Sequence, residues 1–369
     1  MRKALTALAV LGLTAGMAHA QSNVAVYGVV DTGYIKETGR DLRLGTNTDN
    51  RIGFRGHEDL GGGLKATFHL ERHFDLNDGT IGNRGVPRYS VPGDFGPDWI
   101  GTATVGLEGD FGSVRLGRVV ELTVENNRKF DPFNHYGVGS MIHNTQRADS
   151  IDNGIRYDSP NWSGFSFGLS YSLGANTKSG NDALVAAGAD NDGWAVGLNY
   201  DNGPVALTAN FNRPTDSNSS RIWTLAGMYR FGEAKVSLLY QNTNDKGWKF
   251  GSQSPDVKDL VAGWGPGDAG NAKGKQQYWL LGLEWGVGPG EVDASVQYFR
   301  LKDSWVNVDN SSKSNWKYAL GYTYNLSKRT SAYAQASYTK YDDMSTGAYY
   351  HGLYRKSVTG FQIGMTHMF

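Results

Sequence analysis

The chain has 369 residues, with 36 basic side chains against 36 acidic ones, 50 glycines and no cysteine. Zero net charge offers no global attraction to a polyanion, which argues against nucleic acid as a partner. Without cysteine there are no disulfides, so stability must come from backbone pairing and side-chain packing. No run of about eighteen apolar residues follows residue 20, which excludes transmembrane helices.

Residues 1–20 have the pattern of a secretory signal peptide. Arg2 and Lys3 precede an apolar run over residues 4–17, and the segment ends in AHA at 18–20. The run is too short to span a bilayer as a helix. We therefore expect an exported protein with one domain over residues 21–369.

From residue 24 to residue 369 the sequence alternates between apolar and polar residues in sixteen segments of about ten residues. A period of two is the pattern of a β-strand with one apolar and one polar face. About ten residues is also the length of a tilted strand that crosses an outer membrane. Tyrosine and tryptophan lie at or near many segment ends, as in Trp194 and Tyr200, which is typical of the aromatic girdles of such barrels.

The connections between these segments alternate between short and long. The short ones, rich in glycine and turn-forming residues, lie at 60–63, 109–112, 159–164, 201–204, 231–234, 287–290 and 326–330. The long ones lie at about 75–98, 120–149, 173–192, 213–220, 244–275 and 304–314. This asymmetry indicates an outer-membrane barrel with short periplasmic turns and long external loops.

We therefore predict an all-β fold, a transmembrane antiparallel β-barrel of 16 strands. In lipid an unpaired strand edge would leave backbone groups without hydrogen-bond partners, at a cost of several kcal/mol for each group. We expect the last strand, which ends on Phe369, to close onto the first strand, which begins near Val24.

Five motifs in chain order resemble a known family. They are VYGVVDTG (26–33), NRIGFRGHEDLGGGLKA (50–66), VGLEGDFGSVRLGR (105–118), DNGIRYDSPNWSGFSFG (152–168) and the terminal aromatic residue. Together they resemble the general diffusion porins of Gram-negative bacteria, above all the trimeric sixteen-strand porins of β-proteobacteria and neisseriae. The resemblance implies a water-filled outer-membrane channel for passive diffusion of small hydrophilic solutes and ions. It also implies a homotrimer surrounded by lipid and lipopolysaccharide, and recognition of Phe369 by the barrel-assembly machinery.

The resemblance further implies a charged constriction, in which the third long loop, at about 120–149, folds into the barrel. Its acidic residues would face an arginine cluster on the wall, and the difference in charge across a narrow pore would tune which ions pass. We assign to this constriction Arg51, Arg55, Arg118, Glu121, Glu125, Asp131 and Arg147. Gly101 stands where relatives commonly have an arginine, so the cluster is thinner or is completed by Arg147 or Arg156. We expect a weak preference for anions.

Two other functions stay open. A channel specific for a particular anion or organic acid is the main alternative, although sugar-specific porins line the lumen with aromatic residues and the aromatic residues here share the parity of the aliphatic ones. An outer-membrane barrel enzyme would need a Ser/His or carboxylate cluster on a strand face, and no convincing one is found. We expect no enzymatic activity and no cofactor.

Histidines cluster on two neighbouring segments. His69 and His73 share one strand face with Glu71 between them, and His57 lies on the preceding segment. A metal site would need a third ligand within tetrahedral reach and supporting hydrogen bonds. We therefore interpret the histidines as lumen-wall or interface residues and Glu71 as a lumen charge, and expect no metal.

Overall fold

A computed structural model describes residues 23–79, 99–141, 150–173, 192–214, 220–246, 273–302, 313–342, 344 and 355–369. The predicted signal peptide and Arg147 lie outside these residues. No helix in the described part is both long and apolar enough to cross a membrane.

The described residues form one antiparallel sheet of 17 strands. One of them, β2 (Arg43–Gly45), has three residues and pairs with β1. The sixteen long strands are β1 (Asn23–Glu37), β3 (Arg51–Gly61), β4 (Leu64–His73), β5 (Ala103–Gly109), β6 (Gly112–Val120), β7 (Ser150–Asp158), β8 (Phe165–Ser172), β9 (Gly193–Asn202), β10 (Val205–Arg213), β11 (Arg221–Phe231), β12 (Ala234–Lys246), β13 (Lys273–Val287), β14 (Gly290–Lys302), β15 (Lys313–Asn325), β16 (Thr330–Lys340) and β17 (Ser357–Met368). A seven-residue helix, α1 (Leu122–Arg128), follows β6.

The barrel closes because β1 pairs on both sides. Residues 23–29 pair with β3, and residues 29–37 pair with β17. Beyond β17, the Phe369 N–H donates to the Gly28 carbonyl at 3.1 Å and the Gly28 N–H donates to the Phe369 carbonyl at 3.0 Å. The closed sixteen-strand barrel is therefore confirmed, and Phe369 itself takes part in the closing pair.

The predicted alternation of short and long connections holds along the chain. All seven predicted short turns join consecutive long strands, and two of them contain Gly203 and Gly232 at positive φ of 58° and 56°, a region that glycine adopts without steric cost. The strand bounds add two long connections that the sequence pattern missed, at 38–50 and 341–356.

The two faces of the barrel differ as the alternation predicts. Leu198, Leu320 and Ile363 point outward and are 57%, 59% and 62% exposed, as expected for side chains that face lipid. Aromatic rings lie next to one another across the outer surface near the long-loop ends of β11–β13, with Trp223 5.0 Å from Tyr240 and Tyr240 4.2 Å from Trp279.

The buried core lies inside the barrel, between the wall and the segment that follows β6. Helix α1 packs against β8, β9, β10 and β11. Beyond it, Phe130 and Met141 are fully buried against a wall cluster that includes Leu239, Leu280 and Phe299. Residues 121–141, here called the constriction loop, therefore lie against the inner wall and narrow the lumen.

Candidate pore constriction

Glu121 begins the constriction loop as the N-cap of α1. Its Oε2 accepts hydrogen bonds from the backbone N–H groups of Thr123 and Val124, both at 2.9 Å. These two donors would otherwise lack partners at the helix start. The side chain is buried, and this burial raises the pKa of Glu121. The structure thus places this predicted pore acid within the loop, where it holds the helix.

Asp131 organises the second half of the loop. Its carboxylate accepts backbone N–H bonds from Phe133 at 3.1 Å, His135 at 3.0 Å and Met141 at 2.9 Å. Asp131 is 1% exposed, and burial raises its pKa, whereas the three donors act in the opposite direction. This carboxylate therefore closes a compact turn and does not line the lumen.

Hydrogen bonds fix the same half of the loop to the wall. Lys317 Nζ donates to the Ser140 carbonyl at 2.6 Å, and Ser237 Oγ donates to the Phe130 carbonyl at 2.7 Å. Two glutamine side chains of the wall accept hydrogen bonds from backbone N–H groups of the loop. Gly139 donates to Gln335 Oε1 at 3.2 Å, and Val138 donates to Gln362 Oε1 at 3.1 Å. The loop is thus held at several points from β12 to β17.

Glu125 lies on α1 and pairs with the buried Arg156 of β7. Arg156 also pairs with Asp158 at 2.9 Å and donates to the Val120 carbonyl at 3.1 Å. The Glu125 side chain is 48% exposed, so it is the predicted loop acid that reaches the lumen. Its charge is largely offset by the arginine that anchors it.

Arg51 and Arg55 lie on the inner face of β3, close to β1 and β4. Arg51 Nε is 3.5 Å from Glu71 Oε2, and the Arg55 guanidinium lies 5.1 Å from the centre of the Tyr27 ring. Tyr27 also donates to Glu71 at 2.7 Å. The Arg51 side chain is 28% exposed, Arg55 is exposed, and no carboxylate of the described residues forms an ion pair with Arg55. Both guanidiniums are therefore accessible to water.

Arg118 has a different environment from that of the β3 arginines. It is 9% exposed, pairs with Asp152 of β7, and donates from Nε to the carbonyls of Ile100 at 2.8 Å and Gly101 at 3.1 Å. Its guanidinium therefore holds the backbone that leads into β5.

Gly101, the position at which the family resemblance implies an arginine, lies against the Glu71–His73 pair. Glu71 Oε1 and His73 Nε2 are 2.8 Å apart. A Cβ atom at position 101 would lie 2.6 Å from Glu71 Oε1 and 2.9 Å from His73 Nε2. The space that an arginine at this position would need is thus filled by this pair.

Three further residues of the constriction were not predicted from the sequence. Tyr27 and Asp49 contact the β3–β4 wall, and Tyr136 of the loop donates to Asp49 at 2.7 Å. Tyr27 shares its inward parity with Val29 and Asp31, and this pattern could have identified Tyr27 from the sequence. Asp49 and Tyr136 lie in loops, where alternation carries no information about direction.

A closed β-barrel with long loops at one end and a loop packed inside it defines an outer-membrane channel. The family model for Gram-negative porins matches residues 4–344. Outer membrane porin protein 32 of Delftia acidovorans is 34% identical over 100% of both chains, and an outer membrane porin of Bordetella pertussis is 32% identical over 92% of this chain and 94% of its own. The solved anion-selective porin from Comamonas acidovorans superposes with a TM-score of 0.71 at 29% identity, covering 95% of this chain and 100% of that one.

This chain therefore belongs to the Gram-negative porin family and forms a passive diffusion channel in the outer membrane. The resemblance carried by the five sequence motifs is confirmed. The neisserial likeness is also present, since a major outer membrane protein P.IA of Neisseria meningitidis is 30% identical over 60% of this chain and 62% of its own.

Proposed function

We propose that this channel passes small anions in preference to cations, and that Arg51 and Arg55 produce the preference. The observation that carries the proposal is the unequal exposure of the constriction charges. Glu121 and Asp131 are buried inside the loop and Glu125 is paired with Arg156, whereas both β3 arginines reach the lumen.

The physical basis is the field of an exposed guanidinium in a narrow aqueous pore with walls of low dielectric constant. At about 5 Å a unit charge attracts an anion by roughly 1 kcal/mol in bulk water, and by about 3 kcal/mol at an effective dielectric constant of ~20. Glu71 lies 3.5 Å from Arg51 and offsets part of this attraction. The expected preference is therefore moderate, and it agrees in sign with the description of the Comamonas acidovorans porin as anion-selective.

The same proposal assigns no catalytic residue. GFSFG at 164–168 has the G-x-S-x-G spacing of a nucleophile elbow, which requires a sharp turn from a strand into a helix. Ser166 instead lies within β8, paired with Asn199 of β9. Passive diffusion requires no catalytic residue.

We also propose that the protein assembles as a homotrimer, and that Phe369 serves as the signal for the barrel-assembly machinery. The family resemblance supports both, and a solved barrel of similar fold, OmpT of Vibrio cholerae, is described in a trimer form. Phe369 is 48% exposed at the end of the closing pair, where another protein can reach its ring. Cross-linking of the protein in membranes should give a trimer, and a dimer or monomer would contradict this part.

Planar-bilayer recording of the purified protein tests the transport proposal. Across a tenfold KCl gradient we expect a zero-current potential of the sign that shows chloride more permeant than potassium. Conductance should rise linearly with salt and should not saturate with phosphate or a dicarboxylate. A potential of zero or of the opposite sign would contradict anion preference, and block by micromolar organic acid would instead support the ligand-specific alternative.

A further inference from the structure

A cluster of carboxylates lies on the inner wall away from the constriction arginines. It consists of Glu284 on β13 and of Glu291 and Asp293 on β14, here called the acidic triad. One oxygen from each of the three side chains lies within 4.8 Å of the other two. Glu284 and Asp293 are directly paired across the two strands, and Glu291 pairs with Gly286 on the same hairpin.

The backbone pairing forces these like charges together. Two carboxylates directly opposite each other in an antiparallel pair repel and destabilise the sheet. Glu284 and Asp293 are moreover only 6% and 7% exposed, so water screens their charges poorly. A positive group close to the triad would therefore stabilise the hairpin.

The side chains around the triad meet this need only in part. Lys235 of β12 lies opposite Glu284 and forms an ion pair with it, which offsets one of the three negative charges. On the other side Asp293 pairs with Gly321 of β15, which has no side chain to offer. Within the described residues, neither Glu291 nor Asp293 makes an ion pair, and the buried Asp293 Oδ1 has no hydrogen-bond partner.

This geometry and this donor set are those of a site for a hard divalent cation. Calcium takes six to eight oxygen ligands at about 2.3–2.6 Å, so two of its ligands are separated by no more than about 5 Å. The spacing within the acidic triad fits this limit, and the half-buried Glu291 leaves room for water ligands. The triad has no thiolate or imidazole, the groups that favour zinc and copper.

We propose that the acidic triad binds a calcium ion. The site lies next to the constriction loop: a Cβ atom at Gly282 would be 2.6 Å from Pro132 Cγ, and one at Gly321 would be 3.0 Å from the Phe133 ring. Bound calcium therefore stabilises the β13–β14 hairpin at the place where the loop rests on it. This inference does not depend on the ion preference of the pore.

Isothermal titration of calcium into refolded protein in detergent, free of lipopolysaccharide and treated with chelator, tests the proposal directly. We expect one saturable site per chain, lost in Asp293→Asn and at least tenfold weaker in Glu291→Gln. Glu108→Gln is the control, because it removes the same charge as Glu291→Gln from another barrel strand, β5, away from the triad; Glu108 pairs with Lys65 at 4.0 Å. Saturable binding that persists unchanged in both triad variants, or no binding by the wild type, would overturn the proposal.

Thermal unfolding gives an independent readout. Calcium should raise the unfolding midpoint of the wild type and of Glu108→Gln, and should raise that of Glu291→Gln clearly less at the same calcium concentration. The half-buried position of Glu291 makes this variant the safer one to fold. A different result would contradict the proposal: both triad variants have a higher unfolding midpoint than the wild type, and calcium does not change the midpoint of the wild type. In that case protons rather than calcium neutralise the carboxylates, and the proposal is wrong.

Discussion

The Tyr136 hydroxyl donates a 2.7 Å hydrogen bond to Asp49 Oδ2 and so joins the constriction loop to the wall that it faces. Asp49 precedes Arg51 by two positions and lies 3.9 Å from His73 Nδ1. His73 in turn bonds Glu71, the partner of Arg51. This contact therefore links the position of the loop to the positions of these wall charges.

Removal of this contact in Tyr136→Phe should loosen the loop without unfolding the barrel. A single hydrogen bond is worth about 0.5–1.5 kcal/mol, small against the pairing of sixteen strands. We expect more frequent fluctuations of the open-channel current in single-channel recordings. Tyr157→Phe is the control, since its hydroxyl bonds the Phe111 carbonyl in a turn, outside the loop. Equal current noise in the wild type and Tyr136→Phe would contradict the coupling.

Asp131→Ala should release the second half of the loop. It removes the acceptor of three backbone N–H groups, and each buried donor left unpaired costs about 1–3 kcal/mol. The barrel should still form, as judged by heat-modifiable mobility in gels, while limited proteolysis cuts the loop faster. Asp131→Asn keeps an oxygen acceptor and should show a smaller effect. Protease resistance equal to that of the wild type in Asp131→Ala would show that the carboxylate does not hold the loop.

The strands and their closure were predictable because lipid on one face and water on the other impose a strict period of two. Residues 51 and 55 have the same parity, so the pattern predicts that both side chains lie on one face of the strand. Parity could not give the direction of the Arg118 side chain, because the register of the β6–β7 pair shifts between Gly117 and Val119, and such a bulge redirects the following side chain. The burial of Glu121 and Asp131 could not be predicted from the sequence either, because both carboxylates accept hydrogen bonds from backbone groups whose positions depend on how the loop packs.

Closure of the barrel depends on the absence of a side chain at Gly28. A Cβ atom there would lie 2.3 Å from the Phe369 ring and 2.8 Å from the Arg51 carbonyl. Gly28→Ala should therefore lower the yield of folded barrel in refolding experiments. Gly227→Ala is the control, because the nearest atom to its Cβ would be the flexible end of Leu207 at 3.2 Å. Equal yields for the two variants would contradict the proposed role of the Gly28–Phe369 pair.

The ion preference of the double variant Arg51→Glu/Arg55→Glu tests the central claim most directly. The control is Lys328→Glu/Arg329→Glu, which makes the same change of charge in the 326–330 turn, outside the lumen. At roughly 1 kcal/mol per reversed charge, the ratio of chloride to potassium permeability should fall at least fivefold and drop below one. The control should keep the wild-type zero-current potential. An unchanged potential in the folded double variant would contradict the assignment of anion preference to these two arginines.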